Sequence, residues 1–345
     1  MTKIAILGAG SWGLTLSWLL AQQAEAFPEQ EKSVWLWDRN PEKISHFAAN
    51  RAIQFPVSVH LSESVHLTAS LADAVRDAEI ILMVVTTAGT RPTAQALAAC
   101  GQLASEAIVV NASKGVELPS LQPLHQVIAE ELPQHRVAVL SGPTLAGEIL
   151  SGLPTACVVA CDQLAVAEYL QQSLSCENRF RLYSNQDVIG VEMGGAMKNV
   201  FAIVSGYMQA MRLGENARAA LITRGLAEMT RFCLALGAEA ETLYGLSGLG
   251  DLFATCNSPL SRNHQVGFRL AKGESLEAIL ADLKVVAEGV HTTRAVSQLA
   301  ERIGVDVPIV KQVEYALSGA PISPEMLIRG LMSRRLKSEH AQQAV

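Results

Sequence analysis

Residues 3 to 13 read Lys-Ile-Ala-Ile-Leu-Gly-Ala-Gly-Ser-Trp-Gly, an apolar run that passes at once into G-x-G-x-x-G at Gly8, Gly10 and Gly13. No other feature constrains the fold as strongly, because this spacing carries meaning only at the exit of a strand and the start of a helix. Ile4 to Leu7 predicts that strand. Leu14 to Ala21 continues as an apolar helix, whose free N–H groups suit a pyrophosphate, with Ser11 and Trp12 on the turn itself. A second apolar strand, Val34 to Trp37, ends at Asp38, about where a ribose-binding acid belongs, and Arg39 follows. An acid there favours a free ribose 2′-hydroxyl, whereas an arginine pairs with a 2′-phosphate. NAD and NADP both stay open as cofactors.

A secretory leader is the rival reading of this segment, since Lys3 precedes an apolar stretch running to Ala21. Three glycines interrupt that stretch and no small-residue cleavage site follows. No later run offers ~20 uninterrupted apolar residues, so neither a membrane span nor export is expected and the chain reads as cytoplasmic.

At 345 residues the chain is long for one core, so two domains are expected. Apolar residues at 49% against 17% charged exclude a disordered chain. A net charge of −6 argues against a general nucleic-acid surface while leaving room for a local basic pocket. The six cysteines form no CxxC pair, which reads as small core residues rather than a metal or disulfide framework.

Strand-like runs recur at Ile80 to Val85, Ala107 to Val110, Val137 to Leu140 and Cys157 to Ala160, separated by helical segments. This alternation predicts a doubly wound α/β parallel sheet over residues 1–186. Ligands bind outside the carboxyl ends of such strands, at Thr86-Thr87, at Asn111 to Gly115 and at Ser141 to Thr144. Ordinary polar βα loops would look the same. Lys114, four residues past Val110 and flanked by Gly115, is harder to explain as a solvated side chain.

Beyond residue 186 strand-like runs become scarce, which predicts an all-α second domain over 187–345. Gly190 to Val204 is almost uncharged and must be buried, yet it contains Lys198 and Asn199. A buried lysine needs a reason. One is an ion pair, with Glu192 or Asp251. The other is a pKa lowered by burial and a second cation, which makes a usable acid/base near neutral pH; the two are compatible.

Gly248-Leu249-Gly250-Asp251-Leu252 and Ser261-Arg262-Asn263-His264 gather polar groups suited to an anion, with Arg262 as the phosphate fork. The structural alternative is a turn and a helix start, with Ser261 as N-cap and Arg262 solvated.

These motifs resemble NAD(P)-dependent glycerol-3-phosphate dehydrogenase of the bacterial type, within the 6-phosphogluconate dehydrogenase-like superfamily, along nearly the whole chain. The matching segments are GAGSWG at Gly8 to Gly13, NASKG at Asn111 to Gly115, SGPT at Ser141 to Thr144 and EMGGAMKNV at Glu192 to Val200. They continue with GLGDL at Gly248 to Leu252, SRN at Ser261 to Asn263 and VAEGV at Val286 to Val290.

The resemblance implies reversible hydride transfer between NAD(P)H and dihydroxyacetone phosphate, giving sn-glycerol 3-phosphate for glycerophospholipid synthesis. It makes Lys198 the proton donor and acceptor, with Lys114 opposite it and Asn199 and Asp251 orienting Lys198 and the substrate hydroxyl. Ser261, Arg262 and Asn263 would hold the phosphate, with Gly142 and Thr144 completing the wall. Ala146, Arg262, Val286 and Glu288 would touch the cofactor, as would Lys114 beside Gly8, Gly10, Ser11, Trp12, Gly13, Asp38 and Arg39.

The family's Val-Pro-Ser loop with an arginine four residues after the serine reads here Val85-Thr86-Thr87 with Arg91, which bears on cofactor affinity and preference, not on chemistry. Two competing readings are a reductase for another hydroxy acid or ketopantoate and a Rossmann protein that senses nicotinamide without turnover. The phosphate-suited Ser261 to Asn263 speaks against the first, and the intact Lys114, Lys198, Asp251 and Arg262 against the second. A large apolar second domain is compatible with a homodimer and with a well-packed monomer. The polar tail from Ser333 is expected to fray.

Overall fold

The computed structural model describes residues 2–53, 57–283 and 287–319; the tail from Ser333 and the candidate Val286 lie outside them. Ten strands follow in chain order: β1 (Thr2–Leu7), β2 (Lys32–Trp37), β3 (Ala52–Ile53), β4 (Val59–His60), β5 (Val65–Thr68), β6 (Ile80–Met83), β7 (Ile108–Asn111), β8 (Arg136–Ser141), β9 (Thr155–Ala160) and β10 (Phe180–Asn185). Eight of them form one sheet in the order β10-β9-β8-β7-β6-β1-β2-β5, while β3 and β4 make a small antiparallel pair.

The strand order reverses between β1 and β6, which pair in parallel with Leu7 beside Met83. In a doubly wound sheet this reversal opens the ligand crevice at the carboxyl ends of the strands. Successive residues of β1 serve opposite faces: Ile4 and Ile6 enter one core, Ala5 and Leu7 the other. Both faces are covered, which is why the central strands read as continuous apolar runs rather than alternating ones.

The expected fold class is the observed one, with one correction. The sheet is not wholly parallel, since β9 runs antiparallel to β8 with Val139 opposite Ala160. The chain reverses through Gly142 to Thr144 and the short helix Ala146–Leu150 rather than through a full crossover. Strands β5 and β10 were not expected, and they are the two edges of the sheet. Val-His-Leu-Thr and Phe-Arg-Leu-Tyr-Ser-Asn alternate apolar with polar, as strands with one open edge do.

From Val188 the described chain is helical. The helix Val188–Ala210 starts on Asp187, whose Oδ1 accepts the Gly190 amide at 2.7 Å, and every residue from Gly190 to Met208 is buried. By length and apolarity it could cross a membrane, yet 89% of its most apolar window is buried inside the protein. It crosses the helix Arg262–Ala271 where side chains are absent from both: a Cβ on Gly206 would lie 1.9 Å from the His264 carbonyl oxygen, and one on Gly267 1.8 Å from that of Ile203. This close crossing sets the Lys198 helix directly against the Arg262 helix.

Candidate active site

The crevice between β1 and β6 has the shape that a dinucleotide requires. Gly8 has φ +117°, and a Cβ on it would lie 2.5 Å from the Val84 carbonyl oxygen. A Cβ on Gly10 would meet nothing within 4 Å, so open space lies over the start of the helix Ser11–Ala26. That helix begins on Gly10 with no side chain capping it, which leaves its first amides for an anion. The residues therefore fit the group that the motif implies. Ser11 is exposed at this end, while Trp12 is half-buried against Phe180.

Asp38 ends the second strand as expected, yet its carboxylate faces the protein. Oδ2 accepts the Ala9 amide at 3.0 Å and pairs with Lys43 Nζ at 2.8 Å; Oδ1 accepts the Asn40 amide at 3.1 Å. Arg39 is exposed.

Farther along the carboxyl edge, two lysines share one carboxylate. Lys114 Nζ donates to Asp251 Oδ2 at 2.6 Å, and Lys198 Nζ to Asp251 Oδ1 at 2.7 Å. Asp251 is 1% exposed and opens the helix Asp251–Asn257, directly after a π-helical turn at Leu246–Gly250. Lys114 also donates to the Gly142 carbonyl at 2.8 Å and to Thr144 Oγ1 at 3.2 Å, which engages all three of its protons. Lys198 donates to Asp251 and to Thr255 Oγ1 at 2.7 Å, which leaves one proton uncommitted. Burial lowers the Lys198 pKa to about 8, with the Asp251 carboxylate opposing the shift and the Lys114 charge adding to it. Of the two partners considered for Lys198, the structure selects Asp251. Glu192 instead accepts from Asn111 Nδ2 at 2.6 Å and from the His125 amide at 3.0 Å, so it ties the Lys198 helix to the loop that carries Lys114.

Thr255 was missed by the sequence reading. Its signal is its place four residues after Asp251, hence on the same helix face.

The other wall is the start of the helix Arg262–Ala271. Ser261 is its N-cap, with Oγ accepting the His264 amide at 3.3 Å, so the capping reading of Ser261 is realised. Asn263 Nδ2 donates to Asn199 Oδ1 at 2.9 Å, and Asn263 Oδ1 accepts the Gly289 amide at 3.0 Å. Asn199 thus engages Asn263 rather than Lys198, and couples the lysine's helix to the arginine's. Arg262 keeps an exposed surface; desolvation by the surrounding protein lowers its pKa, with Glu288 opposing.

Glu288 joins the two halves of the chain. Its carboxylate accepts the Thr87 amide at 3.1 Å and the Thr87 hydroxyl at 2.7 Å. Arg91, one turn on, is held in ion pairs with Glu117 and Glu131 at 2.7 Å and Glu130 at 3.0 Å. Ala146 opens its short helix beside the Gly142 turn and is partly exposed. A cavity of 520 Å³ lined by Glu79, Glu106, Arg136 and Tyr169 lies at the opposite, amino-terminal edge of the strands, away from every one of these groups. The convergent ammoniums, not that cavity, mark the site.

Comparison with known proteins agrees with this geometry. Residues 3–167 match the model of the NAD-dependent glycerol-3-phosphate dehydrogenase N-terminus, and residues 187–328 that of its C-terminus. A glycerol-3-phosphate dehydrogenase (NAD(P)+) of Nitratidesulfovibrio vulgaris is 44% identical over 342 residues, covering 98% of this chain and all of the relative. One from Methylobacillus flagellatus is 43% identical, covering 98% and 99%. The crystal structure of glycerol-3-phosphate dehydrogenase from Coxiella burnetii superposes with a TM-score of 0.88 at 33% identity, covering 96% of this chain and 99% of that one. A ketopantoate reductase of Ralstonia eutropha, at 16% identity and a TM-score of 0.60, shares the fold alone. The chain belongs to the NAD-dependent glycerol-3-phosphate dehydrogenase family.

Proposed function

We propose that this chain interconverts dihydroxyacetone phosphate and sn-glycerol 3-phosphate with NAD(P)H, by acid/base chemistry at Lys198. The observation that carries the reading is the single buried carboxylate of Asp251 holding both Lys114 and Lys198, with a spare proton on Lys198 alone. The nicotinamide supplies or receives the hydride at carbon 2. As that carbon is reduced, negative charge grows on its oxygen, where the Lys198 ammonium stabilises and protonates it; in the reverse direction neutral Lys198 takes the hydroxyl proton. Lys114 stands on the other side of Asp251 and keeps a second positive charge near the oxygen. Thr255 and Asp251 hold Lys198 in place.

Arg262 binds the phosphate in this reading, with Asn263 and Ser261 shaping the helix start that presents it. Gly142 and Thr144 position Lys114. Gly8 to Gly13 receive the pyrophosphate, and Ala146 and Glu288 border the cofactor. We place the division between a dinucleotide-binding domain and a catalytic domain at 186/187, where β10 has ended and Asp187 caps the long helix. The substrate is a small molecule. A cytoplasmic homodimer is the form we propose, since Tyr244, Phe253 and Leu260 leave apolar surface on the helical half, each 59% exposed.

The test is the initial rate of NADH and NADPH oxidation with dihydroxyacetone phosphate, beside unphosphorylated dihydroxyacetone. Fast turnover of the phosphorylated ketone alone supports the reading. Absence of turnover by folded protein with either cofactor returns the chain to another hydroxy-acid reductase or to a silent nicotinamide sensor.

A further inference from the structure

A ribose-selecting acid acts in two ways: it accepts a free 2′-hydroxyl and it repels a 2′-phosphate. Asp38 stands in the right place, but its charge is paired and most of its acceptor capacity is taken. A carboxylate offers about four lone-pair positions, and the Ala9 amide, the Asn40 amide and Lys43 Nζ engage three of them. Burial alone would raise the Asp38 carboxyl, yet Lys43 and the amides hold it below its usual range, so it is an anion paired with a cation rather than a free one.

Lys43 reaches it for a local reason. Asn40 Oδ1 accepts the Glu42 and Lys43 amides and Pro41 opens the helix Pro41–Asn50, so helix begins immediately after the strand and its first turn carries Lys43 back over Asp38. The Lys43 side chain remains 37% exposed beside an Asp38 that is 13% exposed. Arg39, next in sequence, is exposed on the same turn. With Asp38 cancelled by Lys43, the exposed Arg39 guanidinium and the exposed Glu42 carboxylate are the charges this segment leaves unpaired by that contact.

We propose that Lys43 is a specificity-determining residue, which by pairing with Asp38 and acting with Arg39 makes this site accept the 2′-phosphate of NADPH at least as well as the free ribose of NADH. The proposal rests on the dehydrogenase reading above and deepens it.

The test titrates the full-length protein with NADPH and with NADH, without substrate, following nucleotide fluorescence. Wild type is expected to bind both, with NADPH equal or tighter. Lys43→Met loses a charge-assisted contact and frees a like charge, so it should weaken NADPH by about 10- to 100-fold. NADH should hold or tighten, because Asp38 regains an open oxygen. Lys43→Arg should keep NADPH binding. A parallel loss for both nucleotides, an unchanged ratio, or a wild type that favours NADH overturns the proposal and leaves the dehydrogenase reading standing. A folded wild type that binds neither nucleotide overturns both.

Discussion

Lys198 Nζ lies 2.7 Å from Asp251 Oδ1, and the other oxygen of the same carboxylate holds Lys114 at 2.6 Å. Two ammoniums on one nearly unexposed carboxylate leave a local excess of positive charge in a site with little water to screen it. Burial penalises the charged form of Lys198, and the Lys114 charge adds to that penalty while Asp251 opposes it, which is how a group ordinarily titrating at 10.5 comes to about 8. A proton bound that loosely can be given up and recovered near neutral pH.

The sign of the pH dependence follows from the form each direction needs. Ketone reduction needs the Lys198 ammonium, so its kcat should fall as pH rises through about 8; alcohol oxidation needs the neutral amine and should rise through the same value. Measuring kcat in both directions from pH 6 to 10 checks this, and profiles that move together contradict it.

Thr255 accepts one of the two occupied protons of Lys198 at 2.7 Å. Thr255→Val keeps the shape and removes the acceptor. A hydrogen bond to a charged group is worth about 1.5 to 3 kcal/mol, so kcat should drop roughly ten-fold or more. The KM for the phosphorylated ketone should change little; a change in KM alone would assign Thr255 to binding instead.

Arg262→Ala separates phosphate recognition from chemistry. The KM for dihydroxyacetone phosphate should rise by about 10- to 100-fold, while the poor rate with dihydroxyacetone stays as it was. Equal losses on both ketones would place Arg262 in the fold or the cofactor site.

Glu228 provides a stability test far from catalysis. It is 2% exposed and accepts the amides of Ile309 and Val310 at the start of the helix Pro308–Leu317. Burial raises its pKa from 4.5 to about 7, against those two amides and Arg231, while Asp306 adds to the rise. A carboxyl raised in the folded state favours folding most below its unfolded value. Stability from this group should therefore decline as pH climbs from 4.5 to about 7, by at most about 3 kcal/mol. Urea unfolding across that range should show the decline in wild type and a flatter profile in Glu228→Gln; equal profiles would show that Glu228 titrates normally.

How much of this was legible depends on whether a residue declares itself locally. Lys198 did, because a cation inside an uncharged run has few structural excuses, and so did Lys114 at a strand exit. The choice of Asp251 over Glu192 did not, since both stood at plausible distances in sequence and only the packing of the π-helical turn decides. Thr255 was hidden because its spacing from Asp251 matters only once a helix is known to begin at Asp251. Asp38 was correctly placed at the end of its strand, but its pairing with Lys43 depends on how soon the next helix starts. The edge strands β5 and β10 escaped because one open side lets polar residues enter them.

The most direct measurement is kcat of Lys198→Ala with dihydroxyacetone phosphate, taken beside the dissociation constant for the nicotinamide cofactor. Loss of a general acid should lower kcat by about 10² to 10⁴ while the cofactor constant stays nearly unchanged. A variant that keeps near wild-type kcat would mean that the proton comes from another group, and the Asp251-bridged lysine pair would then be structural.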